Sequence, residues 1–406
     1  MSLRLIHTDK FKTTVMCLLL RRPLDRETVT EAAIIPNLLS RGSQKYPTMT
    51  KINSELEDMC GAIFETQTVK KAEEQMIQLY MEFLPTDSRQ QARALEFMHE
   101  VLLNPLAEGG GFKKGYVDGE KTNLKLAIEG RINNKAEYAK LRALEEMCRG
   151  ERFGIYGDGY IEDVDALTPE GIFNRYRDIV DNAPIDLLIM GKEDAELERM
   201  ARETFQLGRE VKLPVPETGY SPREPRTIAE HHNITQGKIC MGYRTGGANT
   251  GDEVYKLMLM NEVFGGSVGS RLFQNVREKE NLCYYINSFV YRAKAIVFVQ
   301  SGVDGRNFDR VTELVQQQIG DLAGGNISDT EIFSAKKSLI RRIRAMLDSQ
   351  ASCIDFHMSQ HMLNDKCDIH GVMEQIERLD KNDVCEMAAK MRLDTVFRLE
   401  AGERNG

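Results

Sequence analysis

The sequence predicts an α+β protein made of two similar domains, each with an antiparallel-rich sheet and helices packed on one face. Three observations support this prediction: a long internal repeat, a proline-bearing segment between its two copies, and strand candidates that come in groups. Grouped strands with helices between the groups favour an α+β layer over strictly alternating βαβ units.

The internal repeat relates the stretch from Thr13 to Lys70 to the stretch from Gly237 to Arg292. Each copy opens with an apolar strand candidate and continues into an apolar-periodic helix that stops at a glycine, before a second helix and a strand. The first of these helices is predicted over Thr30 to Arg41 and over Asp252 to Phe264. Three residue pairs keep a constant offset of 223 positions: Cys17 and Cys240, Gly42 and Gly265, Cys60 and Cys283. This regularity indicates a duplicated domain.

The segment between the two copies is rich in residues that are typical of linkers. It contains Pro214, Pro216, Gly219, Ser221, Pro222 and Pro225. The sequence therefore predicts an N-terminal domain over residues 1–212, a linker over 213–226 and a C-terminal domain over 227–406.

Composition and charge narrow the class of function. The 406 residues carry a net charge of −8 without a marked Lys/Arg cluster, which disfavours binding to nucleic-acid phosphates. The apolar run Val15 to Leu20 is shorter than a signal-peptide core, and no run reaches the ~18 apolar residues that span a bilayer. The eight cysteines are scattered, as is typical of reduced thiols. We expect a cytoplasmic protein that binds neither nucleic acid nor membrane.

The most specific motif is the segment GGSVGSRLFQNVREKENLCY, from Gly265 to Tyr284. Its middle part, Ser270 to Glu280, has the pattern of an amphipathic helix. Asn281 follows at a position where asparagine tolerates the left-handed conformation, and a strand is predicted next. Arg277 thus ends the helix and Tyr284 begins the strand, which predicts that both side chains approach one cavity.

This segment closely resembles the second-domain signature of insulinase-type (pitrilysin) metallopeptidases, and a weaker resemblance covers almost the whole chain. The resemblance implies two domains, each a mostly antiparallel sheet of five to six strands with helices on one face. It also implies that paired chains enclose a peptide-holding chamber, in which Arg277 and Tyr284 hold the substrate backbone and polarise its carbonyl group. The alternative is that Arg277 satisfies the end of its helix and Tyr284 belongs to the core.

Active members of this family carry His-x-x-Glu-His in the first domain, where two histidines bind zinc and the glutamate is the general base. The anchor that starts at Gly42 places these positions at Ala33, Pro36 and Asn37, so all three functional side chains are absent. The family's third ligand lies seven residues after a glutamate that corresponds to Glu120, and that position is Ala127. Zinc and other cofactors are therefore not expected in this chain, and zinc is expected only in a partner chain.

A second histidine pair has the same spacing as the zinc motif, His357 and His361, with Gln360 in the glutamate position. Glutamine is uncharged at pH 7 and cannot act as a base, so peptidase chemistry is not expected there. The two histidines are either ordinary residues of a helix face or ligands of an adventitious metal ion.

The selective loss of the first-domain site leads to one main hypothesis. The chain is a non-catalytic subunit that binds unstructured peptides and completes the active site of a zinc-bearing homologous partner, as a heterodimer. Pairing with a second copy of itself remains open. The alternative function is a peptide-binding or scaffold protein of the same fold without a role in hydrolysis. A third reading is a complete zinc peptidase with unrecognised ligands.

Overall fold

The computed structural model describes residues 2–205, 211–216, 218–219, 224–248 and 250–402. The chain divides into two compact units, Met1–Gly130 with Ile155–Pro214 and Arg131–Gly154 with Val215–Gly406. Residues 131–154, which the sequence prediction assigns to an N-terminal domain of residues 1–212, thus belong to the second unit. The predicted linker 213–226 includes residues 217 and 220–223, which lie outside the described residues, so the linker stays a prediction. Every helix among the described residues is too short or too polar to span a bilayer.

The first unit contains a mixed sheet and helices that pack on it. Its strands are β1 (Ser2–His7), β2 (Thr14–Pro23), β3 (Ile63–Lys71), β4 (Glu74–Phe83), the short pair β5 (Ala107–Glu108) and β6 (Gly111–Phe112), and β7 (Ile185–Gly191). Its helices are α1 (Val29–Ala33), α2 (Ile35–Leu39), α3 (Met49–Asp58), α4 (Ser88–Leu103), α5 (Lys114–Glu129), α7 (Ile161–Val164), α8 (Pro169–Asn182) and α9 (Ala195–Thr204). The sheet order is β1-β7-β2-β4-β3, in which only β1 and β7 are parallel among the described strands.

The second unit contains α6 (Lys135–Met147) and the remaining elements of the chain. Its strands are β8 (Arg226–His232), β9 (Gly237–Arg244), β10 (Cys283–Tyr291), β11 (Ile296–Val303) and β12 (Arg392–Ala401). Its other α-helices are α10 (Asp252–Asn261), α11 (Phe308–Ala323), α12 (Asp329–Met346), α13 (Gln350–Met362), α14 (Ile369–Arg378) and α15 (Lys381–Lys390). Two π-helices, Glu262–Gly266 and Leu272–Lys279, follow α10. The sheet order is β8-β12-β9-β11-β10, with β8 and β12 parallel and the other pairs antiparallel.

The two sheets have the same topology, strand for strand, which confirms the predicted fold class of two mostly antiparallel α+β units. Cys17 lies in the central strand β2 and Cys240 in the central strand β9. The offset of 223 positions also relates Arg21 to Arg244. The sequence prediction overlooked this pair. Arg21 Nη1 lies 2.8 Å from a carboxylate oxygen of Asp186 in β7, and Arg244 Nε lies 3.0 Å from one of Asp394 in β12. These buried pairs join equivalent strands in the two units.

Helix α6 covers a face of the second sheet that the sequence prediction left open. Its buried residues Ala139, Ala143 and Met147 share one core cluster with Cys240 of β9 and Phe397 of β12. The close approach of α6 to β9 requires a glycine at position 242, because a Cβ on Gly242 would lie 2.3 Å from the Met147 sulfur. Side chains alternate along a strand, and Ile239 and Met241, on the opposite face of β9, are also fully buried. Both faces of this sheet are therefore covered.

The helix predicted over Thr30 to Arg41 is interrupted at Ile34, between α1 and α2. The cause is Pro36, which has no backbone N–H to continue the helical hydrogen bonds and sits in the first turn of α2. Two threonines of β3 bind carbonyls near the interruption: Thr68 Oγ1 donates to Ala33 O at 3.0 Å and Thr66 Oγ1 to Pro36 O at 2.7 Å. The proline therefore reshapes the segment in which the family carries its metal ligands.

Candidate peptide-binding cleft and vacant zinc-motif positions

Arg277 and Tyr284 line one cleft of the second unit, with a volume of about 420 Å³. Arg277 lies near the end of the second π-helix, whereas Tyr284 lies at the start of β10, an edge strand of the sheet. The structure thus places the two predicted site residues together. The remaining lining residues are Gln236, Glu278, Asn281, Leu282, Cys283, Gly302, Val303, Asp304 and Asn307.

The turn between the two residues has the predicted left-handed conformation. Asn281 has φ of +52°, and its N–H donates to the Arg277 carbonyl at 3.1 Å. Asparagine tolerates this conformation better than other residues with a Cβ. The helix itself differs from the prediction, because Leu272–Lys279 is π-helical where an amphipathic α-helix was expected over Ser270 to Glu280. Its buried residues, Leu272 and Val276, nevertheless form the predicted apolar face.

Tyr284 is exposed because the edge strand has a β-bulge at this residue. Cys283 pairs with Val303 and Tyr285 pairs with the adjacent Gly302, so Tyr284 is an extra residue in β10. Bulges of this kind redirect a side chain and are common beside active sites. The Tyr284 side chain is 78% exposed, so the alternative that Tyr284 belongs to the core is wrong.

The Arg277 side chain lies across an aromatic ring and remains partly accessible. Its guanidinium carbon is 4.5 Å from the centre of the Phe273 ring, and Nε lies 3.7 Å from a carboxylate oxygen of Glu278. Cation–π contact orients a guanidinium while leaving its N–H groups available. The side chain is 36% exposed and can donate hydrogen bonds to a ligand in the cleft.

The lining of the cleft also contains an ionised carboxylate, that of Asp304. Hydrogen bonds from the Arg306 side chain and backbone N–H lower the pKa of Asp304 to about 2. Burial raises the pKa of the Cys283 thiol, which also lines the cleft. The wall formed by Gly302, Val303 and Asp304 was missed from sequence, because its position depends on the pairing of β10 with β11.

The zinc-motif positions of the first unit carry no metal-binding side chains. Ala33 ends α1 and Pro36 lies in α2, and both are buried. Asn37 in α2 and Ala127 in α5 are exposed. Within the described part of the chain, no group of three or more His, Cys, Asp or Glu side chains has an arrangement that could hold a metal ion.

Glu120, which aligns with the family's helix-starting glutamate, accepts hydrogen bonds from two side chains of the first unit. It is 3% exposed and accepts hydrogen bonds from Arg41, whose Nε lies 2.7 Å from Oε1. Asn123 donates to the other carboxylate oxygen at 3.3 Å. A guanidinium thus neutralises the acidic residue in this part of the first unit.

The second histidine pair, His357 and His361, lies on α13, and Gln360 lies between the two histidines in the sequence. His357 packs edge-to-face against Phe356 at 5.5 Å, and both His357 and His361 are half-buried. Gln360 is buried, accepts from Arg292 and donates to the Cys367 carbonyl at 2.6 Å. The glutamine in the base position therefore serves packing and hydrogen bonding within the second unit.

Taken together, the duplicated α+β unit, the Arg277–Tyr284 cleft and the vacant motif positions define a zinc-peptidase fold without its metal ligands. A family profile described as Peptidase M16 inactive domain matches residues 166–339. The chain is thus similar to the inactive domain of M16, insulinase-type peptidases, and its zinc-motif positions hold Ala33, Pro36 and Asn37.

Individual proteins show the same likeness in sequence or in fold. The chain is 27% identical over 410 residues to the probable inactive metalloprotease YmfF of Bacillus subtilis, covering 99% of this chain and 96% of the relative. A conserved protein from Enterococcus faecalis V583 has the same fold, with a TM-score of 0.92, 24% identity and coverage of 100% and 97%. A peptidase M16 inactive domain from Pseudomonas fluorescens superposes with a TM-score of 0.79 at 16% identity, covering 99% and 96%.

Proposed function

We propose that this chain is the substrate-holding subunit of a two-chain zinc peptidase. Its cleft at Arg277 and Tyr284 binds an unstructured peptide and completes the active site of a homologous partner that carries the zinc motif. The observation that carries the proposal is the asymmetry between the units. The motif positions of the first unit hold Ala33, Pro36 and Asn37, whereas Arg277 and Tyr284 of the second unit share an open cleft.

The chemistry of the cleft suits the backbone of a peptide. The Arg277 guanidinium donates charge-assisted hydrogen bonds to a carbonyl oxygen, and the Tyr284 hydroxyl offers a further donor. Donors directed at a carbonyl stabilise the negative charge that develops during attack. The partner's metal site supplies the activated water for that attack. Neither donor recognises a particular side chain of the peptide, so we expect little preference for the peptide's sequence.

A role in hydrolysis requires a heterodimer and not a homodimer. Two copies of this chain would both have Ala33, Pro36, Asn37 and Ala127 at the ligand positions, so a homodimer lacks the metal-bound water. A partner with an intact motif provides it. We also place the complex in the cytoplasm, because all eight cysteines, which are within the described residues, are free thiols.

A second candidate function is a peptide-binding or scaffold protein without a role in hydrolysis. The similarity to a relative named as a probable inactive metalloprotease favours it. The two candidates differ in what Arg277 and Tyr284 do, since a scaffold makes no use of donors aimed at a scissile carbonyl.

The test is to mix this chain with the zinc-motif homologue from the same organism and to measure hydrolysis of a quenched fluorescent peptide. We expect co-elution of the two chains and at least about tenfold faster turnover than by the homologue alone. Addition of a chelator should abolish the turnover. A mixture that is no faster than the homologue alone contradicts the proposal and favours the scaffold function.

A further inference from the structure

Helix α12 carries a cluster of basic residues without an acidic one among them. Between positions 332 and 347 the chain has no Asp or Glu, and it contains Lys336, Lys337, Arg341, Arg342 and Arg344. Two of these side chains are directed to the protein itself: Lys336 Nζ donates to the Glu377 carbonyl at 2.8 Å, and Arg342 Nη2 lies 2.6 Å from a carboxylate oxygen of Glu262. The other three basic side chains are free to act on the surroundings of the protein.

These three side chains share one side of the helix with an aromatic ring. At 3.6 residues per turn, positions 333, 337, 341 and 344 fall on the same side of α12. We call Phe333, Lys337, Arg341 and Arg344, all of which are exposed, the α12 outer face. Lys337 Nζ lies 4.3 Å from the centre of the Phe333 ring. Within the described part of the chain, Arg341 and Arg344 make no ion pair or hydrogen bond.

A second exposed apolar residue lies beside this face. Val268, in the loop between the two π-helices, is 73% exposed and lines a small cavity together with Arg341. The carboxylates of that cavity, Glu262 and Glu331, are each paired with an arginine of the second unit. The surface around α12 therefore combines uncompensated positive charge with the accessible side chains of Phe333, which is 58% exposed, and Val268.

We propose that the α12 outer face docks on the surface of a bilayer that contains anionic phospholipids. The three cations are attracted to the headgroup phosphates, because each Lys or Arg close to an anionic membrane surface adds to the binding. Phe333 and Val268 enter the interfacial layer, where aromatic side chains are favoured. The proposal is independent of the proposed function, since the α12 outer face and Val268 are not part of the lining of the Arg277 cleft.

A bilayer suits this surface better than other anionic partners do. Nucleic-acid phosphates would satisfy the cations but would leave Val268 without an apolar partner. An acidic protein would need a matching shape, whereas mobile lipid headgroups adapt to long side chains on a convex helix.

The sequence-based expectation against membrane binding rests on the net charge of −8 and on the lack of a spanning segment. Peripheral docking requires no spanning segment. Screening limits the interaction to the nearest face of the protein, because the Debye length is about 10 Å at 0.1 M salt.

Flotation of the full chain with lipid vesicles tests this proposal. One set of vesicles contains phosphatidylglycerol and phosphatidylcholine in equal parts, and the other contains phosphatidylcholine alone. We expect at least about tenfold more chain on the anionic vesicles. Raising the salt concentration to about 1 M, where the Debye length is about 3 Å, should release it. Equal binding to both sets, or binding to neither, overturns the proposal. Binding to duplex DNA or polyglutamate without binding to the anionic vesicles also overturns it.

Variants locate the docking surface. The test variant carries three substitutions on the α12 outer face: Lys337→Ala, Arg341→Ala and Arg344→Ala. It should bind the anionic vesicles at least about tenfold more weakly. The matched control removes three positive charges at and near α9 and should bind unchanged: Lys192→Ala, Arg199→Ala and Arg202→Ala. All six side chains are exposed, so both variants should fold. Equal binding by the two variants contradicts the assignment.

Phe333→Ala tests the apolar contact separately, because it leaves the charge unchanged. This variant should bind the anionic vesicles several times more weakly than the wild-type chain. Unchanged binding would overturn insertion of Phe333 into the interfacial layer and would favour an acidic partner without an apolar component.

Discussion

Arg277 and Tyr284 line the same cleft from two different elements, a π-helix and a bulged edge strand, with the left-handed residue Asn281 between them. The bulge places the tyrosine ring outside the core, and the turn directs the chain from the helix into the strand. A substrate-holding role for the chain depends on this arrangement.

The chain alone should not hydrolyse peptides, even with added zinc. The reason is that Ala33, Pro36, Asn37 and Ala127 provide neither metal ligands nor a general base. The measurement is turnover of a quenched fluorescent peptide by the purified chain, with and without a chelator. Chelator-sensitive turnover would show that unrecognised ligands exist, and His357→Ala and His361→Ala variants would then identify them.

Arg41→Ala should destabilise the protein, because it leaves the buried Glu120 carboxylate without its cation. Removing one partner of a fully buried pair costs about 3–5 kcal/mol. Because the Arg41 side chain is 32% exposed, we expect a smaller loss of about 1–3 kcal/mol in the free energy of unfolding. Urea denaturation measures it. Arg199→Ala, which breaks an exposed pair on α9, is the control and should change stability little. Equal effects of the two substitutions would contradict the structural role of Arg41.

Gly242→Val should separate α6 from the second sheet. The new side chain would enter the space of the buried Met147 sulfur, and overpacking of this kind costs about 1–3 kcal/mol. Adding Met147→Ala should recover part of the loss, because the clash is with that side chain. Thermal or urea unfolding of both single variants and the double variant gives the coupling energy. Simple additivity of the two substitutions would mean that α6 does not contact the sheet at Gly242.

The free energy of unfolding should decrease in acid, because Glu151, which follows α6, becomes protonated there. Burial opposes ionisation of this carboxylate, but hydrogen bonds from Lys294 and Arg244 outweigh it and hold its pKa below the usual value. A pKa that is lower in the folded state stabilises the protein above the unfolded value of about 4.3, and this contribution is lost as pH falls through the folded pKa. Glu151→Gln should therefore reduce the slope of unfolding free energy against pH below about pH 4.3. An unchanged slope contradicts the ion-pair role of Glu151.

The fold class was predictable because the repeat leaves a direct trace in the sequence. Cys17 and Cys240 keep their offset because they occupy the same position in the central strands β2 and β9, where both side chains are buried. Other features depend on contacts between distant segments. The assignment of residues 131–154 to the second unit follows from packing of α6 around Gly242, and no local pattern in the helix reveals its partner.

The candidate site was predictable only in part, for the same reason. The motif and Asn281 indicate that Arg277 and Tyr284 lie close together. The bulge at Tyr284 is a shift in the register between β10 and β11, and it shows only when the two paired strands are compared residue by residue. The Arg41–Glu120 pair joins residues from separate elements, so only the structure reveals it.

The most direct test of the central claim is the activity of the two-chain mixture when this chain carries Arg277→Ala and Tyr284→Phe. The variant should still co-elute with the zinc-bearing homologue, because the substitutions alter exposed side chains. We predict that kcat/KM for the fluorescent peptide falls at least about tenfold, the effect of losing about 1.4 kcal/mol of transition-state stabilisation, while Arg310→Ala leaves it unchanged. A mixture containing the doubly substituted chain that is as active as the wild-type mixture would contradict the claim that this chain completes the active site.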